Sequence, residues 1–115
     1  MSPLPEECVQ IRDAAQNAGV KVLVCHVLRY TSHYRKMKEI VDSGRLGDIV
    51  HIVHTENVGD YHHAHSYVRG NWRNTDSSAP MILAKCCHDL DLLQFYANSK
   101  CKSISSVGAL IYFKK

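Results

Sequence analysis

Ser66-Tyr67-Val68-Arg69-Gly70-Asn71-Trp72-Arg73-Asn74 and, a few residues on, Pro80-Met81-Ile82-Leu83-Ala84-Lys85-Cys86-Cys87-His88-Asp89-Leu90-Asp91 are the stretches on which the reading of this 115-residue chain turns. The first is polar and Arg-rich, has no sustained hydrophobic period, and lies within a long ordered loop expected over residues 59–79. Long loops in compact domains tend to carry function. The second opens a helix expected to start at Ser77-Ser78-Ala79-Pro80 and run to about Tyr96. On it Lys85, His88 and Asp89 fall at i, i+3 and i+4 and so share a face, with Asp91 bordering it. Leu83, Cys86, Cys87 and Leu90 lie opposite.

Upstream, Pro5-Glu6-Glu7 has the composition of a first helical turn, with Pro tolerated there and the acids facing the positive end of the dipole. Cys8, Ile11, Ala15 and Ala18 repeat at helical spacing, and Gly19 suits the C′ position. Val20-Lys21-Val22-Leu23-Val24-Cys25 is short, apolar and rich in β-branched residues, which predicts a buried strand. Tyr34, Met37, Ile40 and Val41 form the stripe of a second helix, opened near Thr31 or Ser32 and closed by Gly44. Ile49 to Val58 and Ser103 to Phe113 are read as further strands.

The order helix, strand, helix, strand, loop, helix, strand gives an α/β (α+β) fold class. The opening helix and strand suit the last unit of a parallel sheet, and the later strands suit an open sheet of a second domain. Neither sheet is complete with so few strands. The chain is therefore expected to be an internal piece of a larger protein.

Composition excludes several classes. A hydrophobic content of 45% and a charged content of 22% are those of an ordinary globular protein. No apolar run approaches the roughly 18 residues of a membrane helix, and no signal peptide opens the chain, which predicts a cytoplasmic protein without membrane contact. A net charge of +3 with scattered basic residues argues against nucleic acid as a partner; Arg35-Lys36-Met37-Lys38 is a solvated helix face beside Glu39 and Asp42. Five cysteines, two of them adjacent, are expected as reduced thiols.

His88 beside Lys85 and two carboxylates is the minimum set for general acid–base work near neutral pH. A polar helix face with ordinary ion pairs would carry the same pattern. Arg69 and Arg73 flanking Trp72 can grip a carboxylate, phosphate or sugar, or simply pin the loop. Tyr61-His62-His63-Ala64-His65, with Cys86, Cys87 and His88, has the density of a transition-metal site, but no CxxC or HxxxH spacing supports it, and no metal is expected. No GxGxxG or GxxxxGK[ST] cradle for phosphate occurs in the sequence.

These residues, in their order, resemble the Gfo/Idh/MocA family of NAD(P)-dependent oxidoreductases. The resemblance rests on Pro3-Leu4 with Pro5-Glu6-Glu7-Cys8, on Ala18-Gly19-Val20-Lys21, and on His26 with Leu28-Arg29-Tyr30. It continues through Val41-Asp42-Ser43-Gly44-Arg45-Leu46-Gly47-Asp48, His65 to Asn74, and Cys87-His88-Asp89-Leu90-Asp91. It implies that residues 1–30 are the remnant of a dinucleotide-binding Rossmann domain. Residues 31–115 would then be part of a C-terminal substrate and oligomerisation domain with an open, mostly antiparallel sheet and a packed helix. It implies hydride transfer between NAD or NADP and a sugar, inositol or related hydroxylated substrate. His88 would be catalytic with Lys85 beside it, Arg29 and Tyr30 near the cofactor, and Arg69, Trp72 and Arg73 in the substrate pocket. Homo-oligomers through the open sheet are expected.

Two departures stand out. Ser2 and Met1 occupy the places of the Lys and Glu of the family's Glu-Lys-Pro motif, and Ala84 stands where many members carry Asp. The chain alone is therefore expected to bind no cofactor and to be inactive. The alternative reading is a non-catalytic module that interacts through its sheet.

Overall fold

Among the described residues, hydrogen bonds that a segment can close within itself form, and those that need a neighbouring strand do not. The computed structural model describes residues 2–113; Met1, compared above with the family Glu, lies outside them. Helix α1 spans Pro5–Asn17, a 3-10 turn spans Val27–Tyr30, and α2 spans Ser32–Asp42. After a long irregular segment come the single-turn helix α3, Asp60–His63, and a π-turn at Ala64–Val68. The short α4, Met81–Ala84, and the longer α5, Cys87–Ala97, complete the order.

The helix ends follow from local chemistry. Past α1, Gly19 adopts φ 65°, its amide donates to the Gln16 carbonyl at 3.2 Å, and the Val20 amide donates to that of Ala15 at 3.1 Å. This is a Schellman closure, and it needs a residue tolerant of the left-handed region. Gly44, at φ 72°, ends α2 by bonding the Val41 carbonyl at 3.2 Å. Asn98, at φ 48°, stands in the left-handed region at the C-cap of α5, Asn being the side chain that enters that region most readily after Gly.

The expected α/β class with an open antiparallel sheet is corrected by the structure. Among the described residues there is no strand at all: Val20–Cys25, Ile49–Val58 and Ser103–Phe113 form no ladder. A β-branched run fits a pleated surface only when a partner strand and a covering layer are supplied. None of the three segments meets another in register here, so Val50 is 95% exposed and Val107 wholly so. The reading of the chain as a sheet-mediated interaction module falls with the sheet. The single helix expected to about Tyr96 is also divided, because the chain leaves helical geometry at Lys85, where φ is −120°.

What packing there is centres on α5. Leu92 is its most buried residue, 1% exposed, and Tyr96, one turn on, is buried against α2. The Tyr96 hydroxyl donates to the Tyr34 carbonyl at 3.4 Å and lies 3.7 Å from the Met37 sulfur, so the predicted stripe of α2 is on the side that meets α5, although Met37 and Ile40 stay exposed and α2 buries none of its residues. Lys38 of α2 donates to the Asn98 side chain at 2.5 Å and to Asp42 at 2.8 Å, tying the two helix ends together. Helix α1 buries none of its residues. The accessible surface of 9836 Å² exceeds the roughly 6,300 Å² of a compact protein of this mass. The radius of gyration, 17.3 Å, likewise exceeds the roughly 13 Å of a compact chain.

With so small a core, one residue decides it. Leu92→Ala is expected to cost about 2–5 kcal/mol, against a total stability of no more than about 5–15 kcal/mol, and to abolish the cooperative loss of helical circular dichroism in urea. Val107→Ala is expected to leave the urea midpoint where it was.

Candidate functional site

The break between α4 and α5 shapes the site. The Cys86 amide reaches back to the Met81 carbonyl at 3.2 Å, and α5 starts afresh with Leu90 bonding the Cys86 carbonyl at 3.1 Å. The first turn of α5 then presents His88 and Asp91 in one direction and Asp89, with Lys85, in another.

On the first side, Arg29 from the 3-10 turn forks onto Asp91, with Nε to Oδ2 and Nη2 to Oδ1 both at 2.6 Å. Its guanidinium also lies 4.6 Å over the Phe95 ring. His26 Nε2 stands 3.8 Å from Asp91, and the His26 ring meets that of His88 edge-on, with centroids 5.9 Å apart. Hydrogen bonds from Arg29 hold the Asp91 carboxyl below the ordinary carboxylate range, outweighing the opposing effect of burial. His88 Nδ1 is buried and has no hydrogen-bond partner among the described residues. An orphaned imidazole nitrogen is costly to bury, and it marks His88 as the unsaturated member of the cluster.

On the second side, His54 Nε2 lies 2.6 Å from Asp89 Oδ1, and Lys85 Nζ donates to Glu56. That bond raises the Lys85 pKa, with burial opposing, so Lys85 is a firm cation. The Cys86 thiol is pushed up, first by burial, which keeps it protonated and unreactive. His54, Glu56 and Asp89 hold ligand atoms within 4.8 Å of one another. The acids of that trio are already matched by His54 and Lys85, so it reads as two closed pairs rather than a metal centre. His26 enters the sequence reading only as part of the family resemblance, and His54 and Glu56 carry no obvious signal of their own. Their one visible mark is the two-residue spacing, which aims both to one side of an extended run.

The loop forms a third group. The Arg69 amide bonds the Ala64 carbonyl at 3.0 Å, closing the π-turn, and the Trp72 amide bonds the Ser66 carbonyl at 3.2 Å. Gly70 is what allows this approach, since a Cβ there would overlap the His65 carbonyl oxygen and come within 2.8 Å of that of Ser66. Arg69 and Trp72 line a cavity of about 460 Å³. Arg73 is absent from its wall and donates instead to the Arg69 carbonyl at 3.3 Å. Arg29 and Tyr30 line a different cavity of about 820 Å³, with Arg35, Lys38 and Phe95. The histidines of the 61–65 run pack on rings: His65 stacks on Tyr61 at 5.7 Å and His63 meets Phe113 edge-on at 5.2 Å.

Comparison with known proteins adds a family to this geometry. The family model described as the GFO/IDH/MocA C-terminal domain matches residues 34–113. The chain is 29% identical over 101 residues to 1-carboxy-3-chloro-3,4-dihydroxycyclohexa-1,5-diene dehydrogenase of Comamonas testosteroni, covering 88% of this chain and 25% of that protein. It is 25% identical over 108 residues to YteT of Bacillus subtilis (strain 168), provisionally named an oxidoreductase, covering 94% of this chain and 25% of that one. The chain thus spans about a quarter of the length of these curated relatives. No solved structure matches significantly. Among the described residues no helix is long and apolar enough to cross a membrane.

The Arg29–Asp91 fork has a pH signature. The folded Asp91 carboxyl titrates below its unfolded value of about 3.9, so the unfolded chain binds more protons in that window and stability rises with pH. The contribution is complete above about pH 5 and is lost as the pH falls through the folded pKa. Asp91→Asn is expected to cost about 1–2 kcal/mol at pH 7, discounted for the partly exposed Arg29, and to flatten the acid limb of a stability–pH curve. Superimposable acid limbs for the two proteins would overturn the assignment.

Proposed function

This chain belongs to the Gfo/Idh/MocA family, and from that premise we propose that it supplies the acid–base centre and part of the substrate-facing surface of an oxidoreductase. In that reading the complete enzyme moves hydride between NAD(P) and a sugar, inositol or related hydroxylated compound. Residues 1–30 are the end of the cofactor-binding domain and residues 31–115 part of the substrate domain. The observation that carries the reading is His88, on the first turn of α5, with a buried Nδ1 that has no hydrogen-bond partner among the described residues.

Oxidising a hydroxyl to a carbonyl requires removal of the hydroxyl proton as the hydride leaves, and reduction requires its return. His88 is suited to hold that proton, because an imidazole exchanges it near neutral pH. Asp91, kept ionised by Arg29, favours the imidazolium once formed, and the His26 edge limits the swing of the ring. Lys85 is not the base, since Glu56 keeps it protonated; its part is to steady negative charge developing on the substrate oxygen. Ion pairs on both flanks of the first turn of α5 fix the direction of these groups, which is what proximity catalysis requires.

NAD(P), when bound, supplies the hydride acceptor or donor. The residues present fit one end of it. Tyr30 is exposed at the rim of the larger cavity and Arg29 is in its wall, but Arg29 is held by Asp91 and Phe95. The sequence carries no glycine-rich cradle for a pyrophosphate. Arg29 and Tyr30 would therefore border the nicotinamide end, with the phosphates held elsewhere in the complete enzyme. Association of copies is supported by the exposed apolar segments around Val50, Val53 and Val107.

In the complete enzyme, His88→Ala is expected to lower kcat by about 10²- to 10⁴-fold, and Lys85→Met by less. A kcat for His88→Ala within a few-fold of the wild type would remove the basis of the reading.

A further inference from the structure

The cavities differ in how their charge is balanced. In the larger one Arg29, Arg35 and Lys38 share the wall with Glu39 and Asp42, and Arg29 and Lys38 already hold Asp91 and Asp42. The cavity above the π-turn has no carboxylate in its wall, and Arg69 is its only permanently charged residue. Among the described residues the Arg69 guanidinium makes no ion pair or hydrogen bond; only its carbonyl is engaged, by Arg73. Flat groups surround it: Tyr61 stacks on His65 with rings 25° apart, and Trp72 is half exposed. Ser66, nearly buried, and Asn71 add a hydroxyl and an amide.

The backbone holds this arrangement in place. The π-turn closure, the Trp72 amide on Ser66, and the contact that only Gly70 permits bring the two halves of the cavity together without relying on side-chain chance. Single π-turns inside helices recur at functional sites. The volume of about 460 Å³ falls within the roughly 300–1,000 Å³ of small-molecule sites.

We propose that this cavity binds a carboxylate carried on a small ring, with the acid on the Arg69 fork and the ring against Trp72 and the Tyr61–His65 stack. A guanidinium presents two parallel donors that match a carboxylate, whereas a phosphate group would call for further cations that the wall lacks. Aromatic faces favour a ring over an open chain, and Ser66 and Asn71 are placed to meet ring hydroxyls. The inference rests on the reading of this loop as substrate-facing surface and narrows the hydroxylated substrate to a ring acid.

Trp72 is the only tryptophan in the chain, so its fluorescence reports on this cavity directly. The 115-residue chain would be titrated with cyclohex-1-ene-1-carboxylate, with myo-inositol as an uncharged ring and acetate as a carboxylate without a ring. The expected result is a saturable change in Trp72 emission, with the ring acid at least tenfold tighter than either control. Arg69→Gln should weaken it at least tenfold, while Arg35→Gln leaves it unchanged. Gly70→Ala should abolish it with the helical dichroism of α2 and α5 retained. Equal response to all three probes, tighter binding of inositol, no response at all, or an unaltered titration in Arg69→Gln would each overturn the proposal. This titration reads binding at Arg69, whereas kcat of His88→Ala in the complete enzyme reads proton transfer, so loss of ring-acid binding leaves the role of His88 standing, and the reverse also holds.

Discussion

The fork between Arg29 and Asp91 is the constraint on which the rest of this structure depends. It joins a 3-10 turn near the beginning of the chain to a helix near its end, across 62 residues, through two bonds of 2.6 Å. By fixing Asp91 it fixes the rotation of α5, and that rotation sends Leu92 and Tyr96 inward, His88 toward His26, and Asp89 toward His54. Phe95 beneath the guanidinium keeps the fork from swinging away. The pair is only partly shielded, so its net contribution is modest; its importance lies in geometry more than in energy.

The division between what the sequence disclosed and what it concealed follows the range of the hydrogen bonds. Helices α1 and α2 sit where Pro5, Gly19, Thr31 and Gly44 predict them, because a helix satisfies its own backbone and its stop signals act within one turn. The strands foreseen at Val20–Cys25, Ile49–Val58 and Ser103–Phe113 are missing for the converse reason. Their β-branched residues state a preference for a surface that other segments must provide, and no other segment provides it. The π-turn at Ala64–Val68 is hidden from pattern, since an i to i−5 closure leaves no compositional mark beyond the nearby Gly70.

The candidate site shows the same mixture. His88, Lys85, Asp89 and Asp91 were visible from their spacing along a helix, but a shared face does not make them one cluster. The break at Lys85 and the separate partners of each residue divide them into a His26–His88–Asp91–Arg29 group and a His54–Asp89 and Glu56–Lys85 group. Each carboxylate has its own counter-group, so neither shares a proton with the other. Arg69 and Arg73, four apart and alike in sequence, part company in the same way: one guanidinium faces a cavity and the other closes a loop.

Ser103–Phe113 has a further consequence for how this chain behaves in company. The segment contains no charge and no proline, it combines Ile, Val, Leu, Tyr and Phe, and its backbone donors and acceptors form no ladder. Those are the features of a segment able to stack in register with copies of itself, each chain offering the next a template of free amides and carbonyls. Lys100 and Lys102 before it and Lys114 and Lys115 after it act as charged gatekeepers, repelling their counterparts in an in-register stack. Their repulsion weakens as salt rises, so added salt favours the addition of one chain to another along this segment.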